Sequence, residues 1–560
     1  MRRRWEIEED FSEFSRKNLP LAKRTLKELV LIPAATGHEE QRAEYCLQWM
    51  KMQGISGAYC DAAGNVIWEY QPECERKILF TAHLDTVFSM DEVLELVENQ
   101  DRWCCPGIGD NTVNVVMLLM AAKYLNEISP ELPCGLILSA DTGEEGLGNL
   151  KGIRALTSAF QKQLSAVIAF DLYRDKVYPR CIGSSRYRIE VRTEGGHSFL
   201  DFGKKNAVAE LAGLVTELYQ MKIPEHSRTT YNVGVMEGGT SVNTIAQEAS
   251  ALFEFRSDSA EALENCEEYL RQKIESRKCC DVSYRCEQVG RRPCAGETDA
   301  IQMARLTNCC VRTLQAATGV EPAASEASTD CNIPLSQNIS SVCVGFCRGG
   351  GAHTREEWLD ISTLESGLAA ALALVCRIPF FCESSETVLR DTISSAEEKE
   401  QIYELLRVCD KDFVPPLSAR NSTSQSDWSG AEKEQDGIRA YLEDICRQHV
   451  LLWKERGKVR AFITWKDHFQ CGHLISYPDS CYMTTLCIDP EWRGQGISES
   501  LYILAEKEIR AVYPGAPITL RTWSSNQAQK HILEKMGYHT VKRLKDDRGE
   551  GIDTVYYVKE

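Results

Sequence analysis

Five separated pieces of the chain carry residues able to hold a pair of metal ions: His83-Leu84-Asp85, Gly109-Asp110-Asn111, Glu144-Glu145, Asp171 and His353. A hydrolytic two-metal centre needs imidazole and carboxylate ligands, with one further carboxylate acting as a base. A carboxylate shared by both ions offsets their mutual repulsion. Asp110, in the turn Gly107-Ile108-Gly109-Asp110-Asn111, is the expected bridge. His83 and Asp171 are expected on one ion, Glu145 and His353 on the other. Glu144 is left over as general base, taking a proton from the attacking water and passing it to the leaving amine. Asp85, two residues from His83 on the same side of an extended segment, is placed to orient that imidazole. Two zinc ions suit this set, and cobalt or manganese would suit it too. Singly, each feature is commonplace: a histidine after a strand, a solvated Glu-Glu pair, an acidic strand end. Their joint occurrence at strand ends makes coincidence the weaker explanation.

The elements that must position them are short apolar runs: Val66–Trp68, Ile78–Phe80, Leu136–Leu138 and Ala166–Phe170. Helical stretches such as 112–127 separate them. This alternation predicts an α/β fold with a mainly parallel sheet, whose strands gather ligands at their carboxyl ends. From about Ser184 the pattern changes to strand, helix, strand, strand, helix, the order of a small α+β insert ending near Pro293. The run 341–347 then returns to the first sheet and leads to His353. The expected domains are 1–183 with 296–381, the insert 184–295, and a third α/β domain over 387–560.

The chain of 560 residues has a formal net charge of −18, which disfavours general binding to nucleic acid or an anionic membrane. No stretch reads as apolar for long enough to span a bilayer. The start MRRRWEIEEDFSEF has basic residues without a following apolar run, so no secretory signal is expected and the cytoplasm is the expected compartment. The 24 cysteines include three adjacent pairs but no C-x-x-C, and are expected to be reduced and mostly buried.

The segments TAHLDTV (81–87), GIGDN (107–111), DTGEEGLG (141–148), AFD (169–171) and GGGAHTREEW (349–358) carry a family likeness. Residues 1–381 resemble the dizinc exopeptidases and deacylases, which include acetylornithine deacetylase, succinyl-diaminopimelate desuccinylase, carboxypeptidase G and peptidase T. The likeness implies the ligand and base roles given above. The insert, through GGHS (195–198) and GGTSVN (238–243), resembles that family's lid or dimerisation domain. This implies a homodimer in which His197 reaches the partner's site and polarises the scissile carbonyl. It also implies that Asn243 and Arg256 bind the substrate's carboxylate, a task that suits a guanidinium fork. Leu172 stands where many relatives have Gly.

In the third domain a strand over 482–488 runs into Asp489-Pro490-Glu491-Trp492-Arg493-Gly494-Gln495-Gly496-Ile497-Ser498 and then a helix. Free amides at a helix start form an anion cradle. Alone this is a weak signal. With Asn526 and the helix ending Gly537-Tyr538, residues 387–560 resemble the GNAT acetyltransferases. The likeness implies that Ile488, Arg493, Gly494, Gln495, Gly496, Ser498 and Asn526 bind acetyl-coenzyme A. Leu533 stands where many members carry a Tyr general acid.

The expected function is bifunctional: hydrolysis of a small peptide or N-acyl amino acid, and acetyl transfer to a small amine or peptide. Two alternatives stay open. The C-terminal domain could be a non-catalytic acetyl-coenzyme A sensor, or the N-terminal part a dead hydrolase kept as a scaffold.

Overall fold

A computed structural model describes residues 7–224, 227–381, 385–425 and 437–560. The first six residues of the basic N-terminal start, and 382–384 of the expected junction, lie outside the described residues. The chain divides into two compact units. One comprises Met1–Asp299 and Cys309–Phe380, the other Ala300–Asn308 and Phe381–Glu560.

In the first unit the apolar runs form an eight-stranded sheet. Its centre is four adjacent parallel strands: Gly135–Asp141, Lys77–His83, Leu164–Phe170 and Ser341–Val344. The first two are buried at every position, as strands covered on both faces must be. Their carboxyl ends lie side by side, with His83 level with Asp141. Antiparallel Tyr59–Cys60 and Val66–Tyr70 extend one edge. Lys176–Cys181 and Ala323–Ala327 extend the other. The helix Val113–Ile128 is buried from Val113 to Leu125.

The insert is a four-stranded antiparallel sheet: Thr229–Gly238, Glu248–Ser257, Gly183–Thr193 and Val282–Arg292 in that spatial order. Helices Ala207–Leu218 and Ala260–Arg277 bury their apolar faces on it. This is the α+β insert expected from the pattern.

One expectation needs correction. The helical segment Ile361–Phe381 is long and apolar enough to cross a membrane by length and composition. In the structure 72% of its apolar window is buried, so its apolarity serves a core.

The second unit carries a seven-stranded sheet in the order Ser385–Arg390, His449–Glu455, Lys458–Phe469, Ser480–Ile488, Ile518–Trp523, Thr554–Lys559, His539–Leu544. Only Ser480–Ile488 and Ile518–Trp523 run parallel, and they pair solely from Cys481–Met483 to Ile518–Leu520 before parting. Ala300–Asn308, the start of the helix Ala300–Thr318, belongs to this unit. Ile301 joins its core, and Arg305, fully buried, pairs with Glu455 at 3.0 Å beside the rings of Trp453 and Trp492.

Candidate metal centre

The parallel strands deliver the expected ligands to one place. Among the described residues three groups form, His83–Asp110–Asp171, Asp110–Glu145–His353 and His83–Glu144–Glu145, each with its ligand atoms within 4.8 Å of one another, and the first two are the expected pair. Asp110 is common to both, one oxygen per side: Oδ1 lies 3.2 Å from His83 Nε2, and Oδ2 lies 3.4 Å from His353 Nε2. Asp171 Oδ1 stands 3.5 Å from His83 Nε2, and Glu145 Oε1 2.9 Å from His353 Nε2. His83 is buried, whereas the His353 side chain is 55% exposed, so the site opens on the His353 side.

The electrostatics of this cluster favour a cation. Burial opposes charge on His83, but the carboxylates of Asp110, Asp171 and Asp85 outweigh it and hold the imidazole well above its usual range. Asp110 and Glu145 push His353 up to about 10. Burial and the neighbouring charge of Asp110 raise Asp171. His83 Nε2 is buried without a hydrogen bond. An orphaned imidazole nitrogen facing carboxylates is what a dication satisfies, and the oxygen and nitrogen donors fit zinc.

Asp85 plays a wider part than orienting His83. The Nδ1–H of His83 donates to the backbone carbonyl of Asp85 at 3.0 Å, while the Asp85 carboxylate stands at 3.5 Å. That carboxylate accepts from the amides of Glu144 and Glu145 at 3.0 and 2.9 Å and from Thr36 at 2.9 Å. It therefore fixes the backbone of Glu144 and Glu145.

Two residues were missed by sequence reasoning. Arg292, 4% exposed at the end of Val282–Arg292, donates from Nη1 to Glu144 Oε1 at 2.8 Å and from Nη2 to the Glu144 carbonyl. Burial raises the Glu144 carboxyl well above its usual range, and Arg292 opposes that rise. Glu357 lies under the turn that carries Asp110. Its carboxylate accepts from the amides of Gly107, Gly109 and Asp110 at 2.6, 2.9 and 2.7 Å and from the Tyr173 hydroxyl at 3.0 Å. A side chain on Gly109 would meet Tyr173 and Glu357 at 2.5 and 2.9 Å, which is why glycine stands there. Glu357, in the charged run Arg355-Glu356-Glu357, and Arg292, in an Arg-Arg doublet, gave no signal in the sequence.

Leu172 takes φ 64°, the left-handed region that favours glycine, and its amide donates to Asp171 Oδ1 at 2.6 Å. The conformation is kept although the glycine is not, and Asp171 remains in the cluster.

The insert's candidates stand elsewhere. Gly196–His197 pairs with Thr244–Ile245, and the Ser198 amide donates to the Asn243 carbonyl at 3.0 Å, so His197 and Asn243 are neighbours. Both are exposed beside Phe199, Leu200, Phe202 and Val242, also exposed. Arg256 lies on Glu248–Ser257 and pairs with Glu254 at 2.9 Å. Among the described residues, none of the three hydrogen-bonds to the metal cluster.

In the second unit, Gly494 and Gly496 both take φ 76°. The sixteen-residue helix Ile497–Val512 follows without a side-chain cap on its first amides. Uncapped amides at a helix start suit a diphosphate, so the turn fits coenzyme A. Ile488 is buried at the end of its strand, Gln495 is buried in the turn, and Ser498 is half-buried at the helix start. The Arg493 guanidinium is engaged locally, with the Ile488 carbonyl at 3.0 Å, Asp412 at 2.6 Å and Cys409 Sγ at 3.3 Å. Asn526 caps the helix Gln527–Lys535 through its side chain. Leu533 is fully buried in the core.

Family models match three stretches: a peptidase dimerisation domain at 182–278, peptidase family M28 at 65–209, and the acetyltransferase (GNAT) family at 403–538. A probable carboxypeptidase of Arthroderma benhamiae is 25% identical over 194 residues, 31% of this chain and 41% of that protein. One from Paracoccidioides brasiliensis is 26% identical over 275 residues, 43% and 61%. The chain thus spans about half the length of the curated relatives it matches. A tripeptidase from Staphylococcus aureus superposes with a TM-score of 0.52 at 18% identity, covering 65% of this chain and 99% of its own. An M20 family metallo-carboxypeptidase from Sulfolobus solfataricus gives 0.54 at 14%, covering 64% and 99%. The last two likenesses concern the fold. The chain joins a metallopeptidase fold of the M20 type, with its dimerisation domain, to a C-terminal domain of the GNAT family.

Proposed function

We propose that the first unit is a zinc-dependent amide hydrolase, a peptidase or N-acyl-amino-acid deacylase. The second unit transfers acetyl groups from acetyl-coenzyme A to an amine, which makes the chain a bifunctional cytoplasmic enzyme. The observation that carries the hydrolase is the pair of ligand groups sharing Asp110. The described cysteines are all thiols, which supports a reducing compartment.

His83 and Asp171 would hold one ion, Glu145 and His353 the other, with Asp110 shared. Ions so held supply Lewis acidity to a water and to the scissile carbonyl. The chain's own residues do the rest. Glu144 accepts the water's proton and returns it to the leaving amine. Arg292 holds the Glu144 carboxylate in one orientation, and Asp85 holds its amide. His197, exposed among apolar side chains, completes the site from a second subunit and polarises the carbonyl. Asn243 and Arg256 take the substrate's carboxylate.

The test is a hydrolysis screen of di- and tripeptides against N-acetyl and N-succinyl amino acids, with metal-loaded protein and its Glu144→Gln and Glu144→Ala variants. Turnover is expected to fall by about 100-fold or more with metal content unchanged. Unchanged turnover would remove Glu144 from its role. A protein that retains no divalent metal would leave the scaffold reading in place. Acetyl-coenzyme A bound without transfer to any amine would favour the sensor reading of the second unit.

A further inference from the structure

The insert's sheet buries one face under its helices and leaves the other to a cavity. Along Glu248–Ser257 the residues alternate, and Ala249, Ala251, Phe253 and Phe255 enter the core shared with the helices. Leu252 and Glu254 therefore stand on the opposite face. Two bulges interrupt this sheet: pairing shifts between Val233 and Val235, and between Gln288 and Gly290. The extra residues are Gly234 and Val289. Both border one open cavity of about 240 Å³, together with Val235, Leu252, Gly146 and Leu147. Bulges re-aim side chains and are common beside functional sites. A Cβ added to Gly234 would meet Asn232 Nδ2 at 3.6 Å, an ordinary contact, so the glycine leaves room in the cavity without being forced by crowding.

One loop joins this cavity to the metal centre. Gly146 and Leu147 follow Glu144 and Glu145 directly. Adjacent Cα atoms are about 3.8 Å apart, so the Cα of Leu147 lies within about 7.6 Å of that of Glu145. The insert grips the loop beside the cavity. Arg186 Nη1 donates to the Gly146 carbonyl, the Arg291 amide donates to Asn149 Oδ1 at 2.8 Å, and Arg292 holds Glu144. The charges on the cavity wall, Arg186 and Glu254, pair with each other at 3.4 Å and present no net charge. The rest of the wall is mainly apolar, and Leu147 and Val235 are 51% and 42% exposed. Pockets for whole small ligands run from about 300 to 1,000 Å³. A cavity below that range has room for one side chain, not for a whole peptide.

We propose that this cavity takes one large apolar side chain of the substrate, carried by a residue flanking the scissile amide. The hydrolase would then select substrates with leucine, methionine or phenylalanine at that position. This rests on the hydrolase reading above. An apolar side chain gains by leaving water for the surfaces of Leu147, Val235, Leu252 and Val289. A charged side chain would be desolvated there beside a pair of charges that already satisfy each other. Leu147 contributes to selection from the same loop that carries the base, so a filled cavity also packs against the segment that positions Glu144 and Glu145.

The experiment uses the metal-loaded full chain and three substrate series, Gly-Xaa, Xaa-Gly and N-acetyl-Xaa, in which Xaa is Ala, Leu, Phe or Asp. In at least one series Leu or Phe is expected to exceed Ala in kcat/KM by at least about tenfold, with Asp poorest. Gly234→Val fills the cavity and should reverse the order in favour of Ala. Leu147→Ser, on an exposed loop side chain, should shrink the preference for Leu without reversing it. Calorimetry repeats the comparison without turnover: Glu144→Gln should bind the Leu substrate more tightly than the Ala one, and Glu144→Gln combined with Gly234→Val should not. Equal kcat/KM for Leu and Ala in all three series overturns the cavity's role and leaves the hydrolase standing. A preference for Leu that survives both Gly234→Val and Leu147→Ser does the same. Hydrolysis of no member of any series overturns the hydrolase reading itself, and the inference with it.

Discussion

Replacing Glu357 by Gln tests whether the Asp110 turn is held from below. Glu357 is fully buried, and its two oxygens are loaded unequally. Oε1 accepts from Gly109, Asp110 and Tyr173, and Oε2 accepts from Gly107 at 2.6 Å. A glutamine keeps its oxygen on the side with three donors, so its NH2 faces the Gly107 N–H. Two buried donors are then opposed, and each costs about 1–3 kcal/mol, so Glu357→Gln should lose about 2–6 kcal/mol. The turn that loosens carries Asp110, the residue common to two of the candidate ligand groups. Changing a group that orients a ligand typically costs about 10–100-fold in metal affinity. Burial and the charge of Asp110 push Glu357 up to about 7 in the metal-free protein. The comparison therefore belongs near pH 8.5, about 1.5 units higher, where the wild-type carboxyl is ionised. Denaturant midpoints of metal-free protein give the stability loss, and competition with a chelating dye gives the affinity. Wild-type metal affinity together with a loss below about 1 kcal/mol would refute the reasoning.

Metal loading should release protons. His353 is raised to about 10, so its imidazole is protonated at pH 8 without metal, and His83 is shifted in the same direction by its carboxylate neighbours. At least about one proton should leave per filled centre, and affinity should weaken as pH falls. A pH-stat titration giving fewer than about one would count against the assigned ligands. In Gly345→Ala the new carbon would lie 2.2 Å from the Leu172 carbonyl oxygen, which is backbone and cannot move aside alone. A loss of about 1–3 kcal/mol and a displaced Asp171 are expected, read as a lower denaturant midpoint and weaker binding of one ion. Gly496→Ala combines φ 76° with contacts at 2.5 Å to Asn308 and 3.1 Å to Ala304. Calorimetry should show acetyl-coenzyme A binding weakened at least tenfold. Unaltered binding would remove the turn from the cofactor site.

Much of the metal centre was legible because its ligands follow buried strands, and buried parallel strands read as plain apolar runs. His83, Asp171 and the Glu144-Glu145 pair are marked by what precedes them. The supporting residues carry no such mark. Glu357 lies in Arg355-Glu356-Glu357, which reads as a solvated charge run until the fold turns one carboxylate under a glycine turn. Arg292 acquires its role only because the insert's last strand ends against Glu144. Leu147, Gly234 and Val289 are separated by more of the chain than any motif spans, and only the insert's sheet with its two bulges brings them to one cavity. Leu172 shows the opposite lesson: a residue that departs from the family pattern keeps the backbone shape the pattern required.

The second unit draws nine residues, Ala300–Asn308, from a helix whose remaining residues belong to the first. A fragment beginning at Phe381 lacks Ile301 and Arg305, so Glu455 loses its 3.0 Å partner and Trp453 and Trp492 lose their cover. The acetyltransferase-like part is therefore no interchangeable cassette appended at a linker. Its coding sequence cannot be moved whole by recombination at one boundary, and a substitution at Ile301 or Arg305 alters the surroundings of Trp453, Glu455 and Trp492.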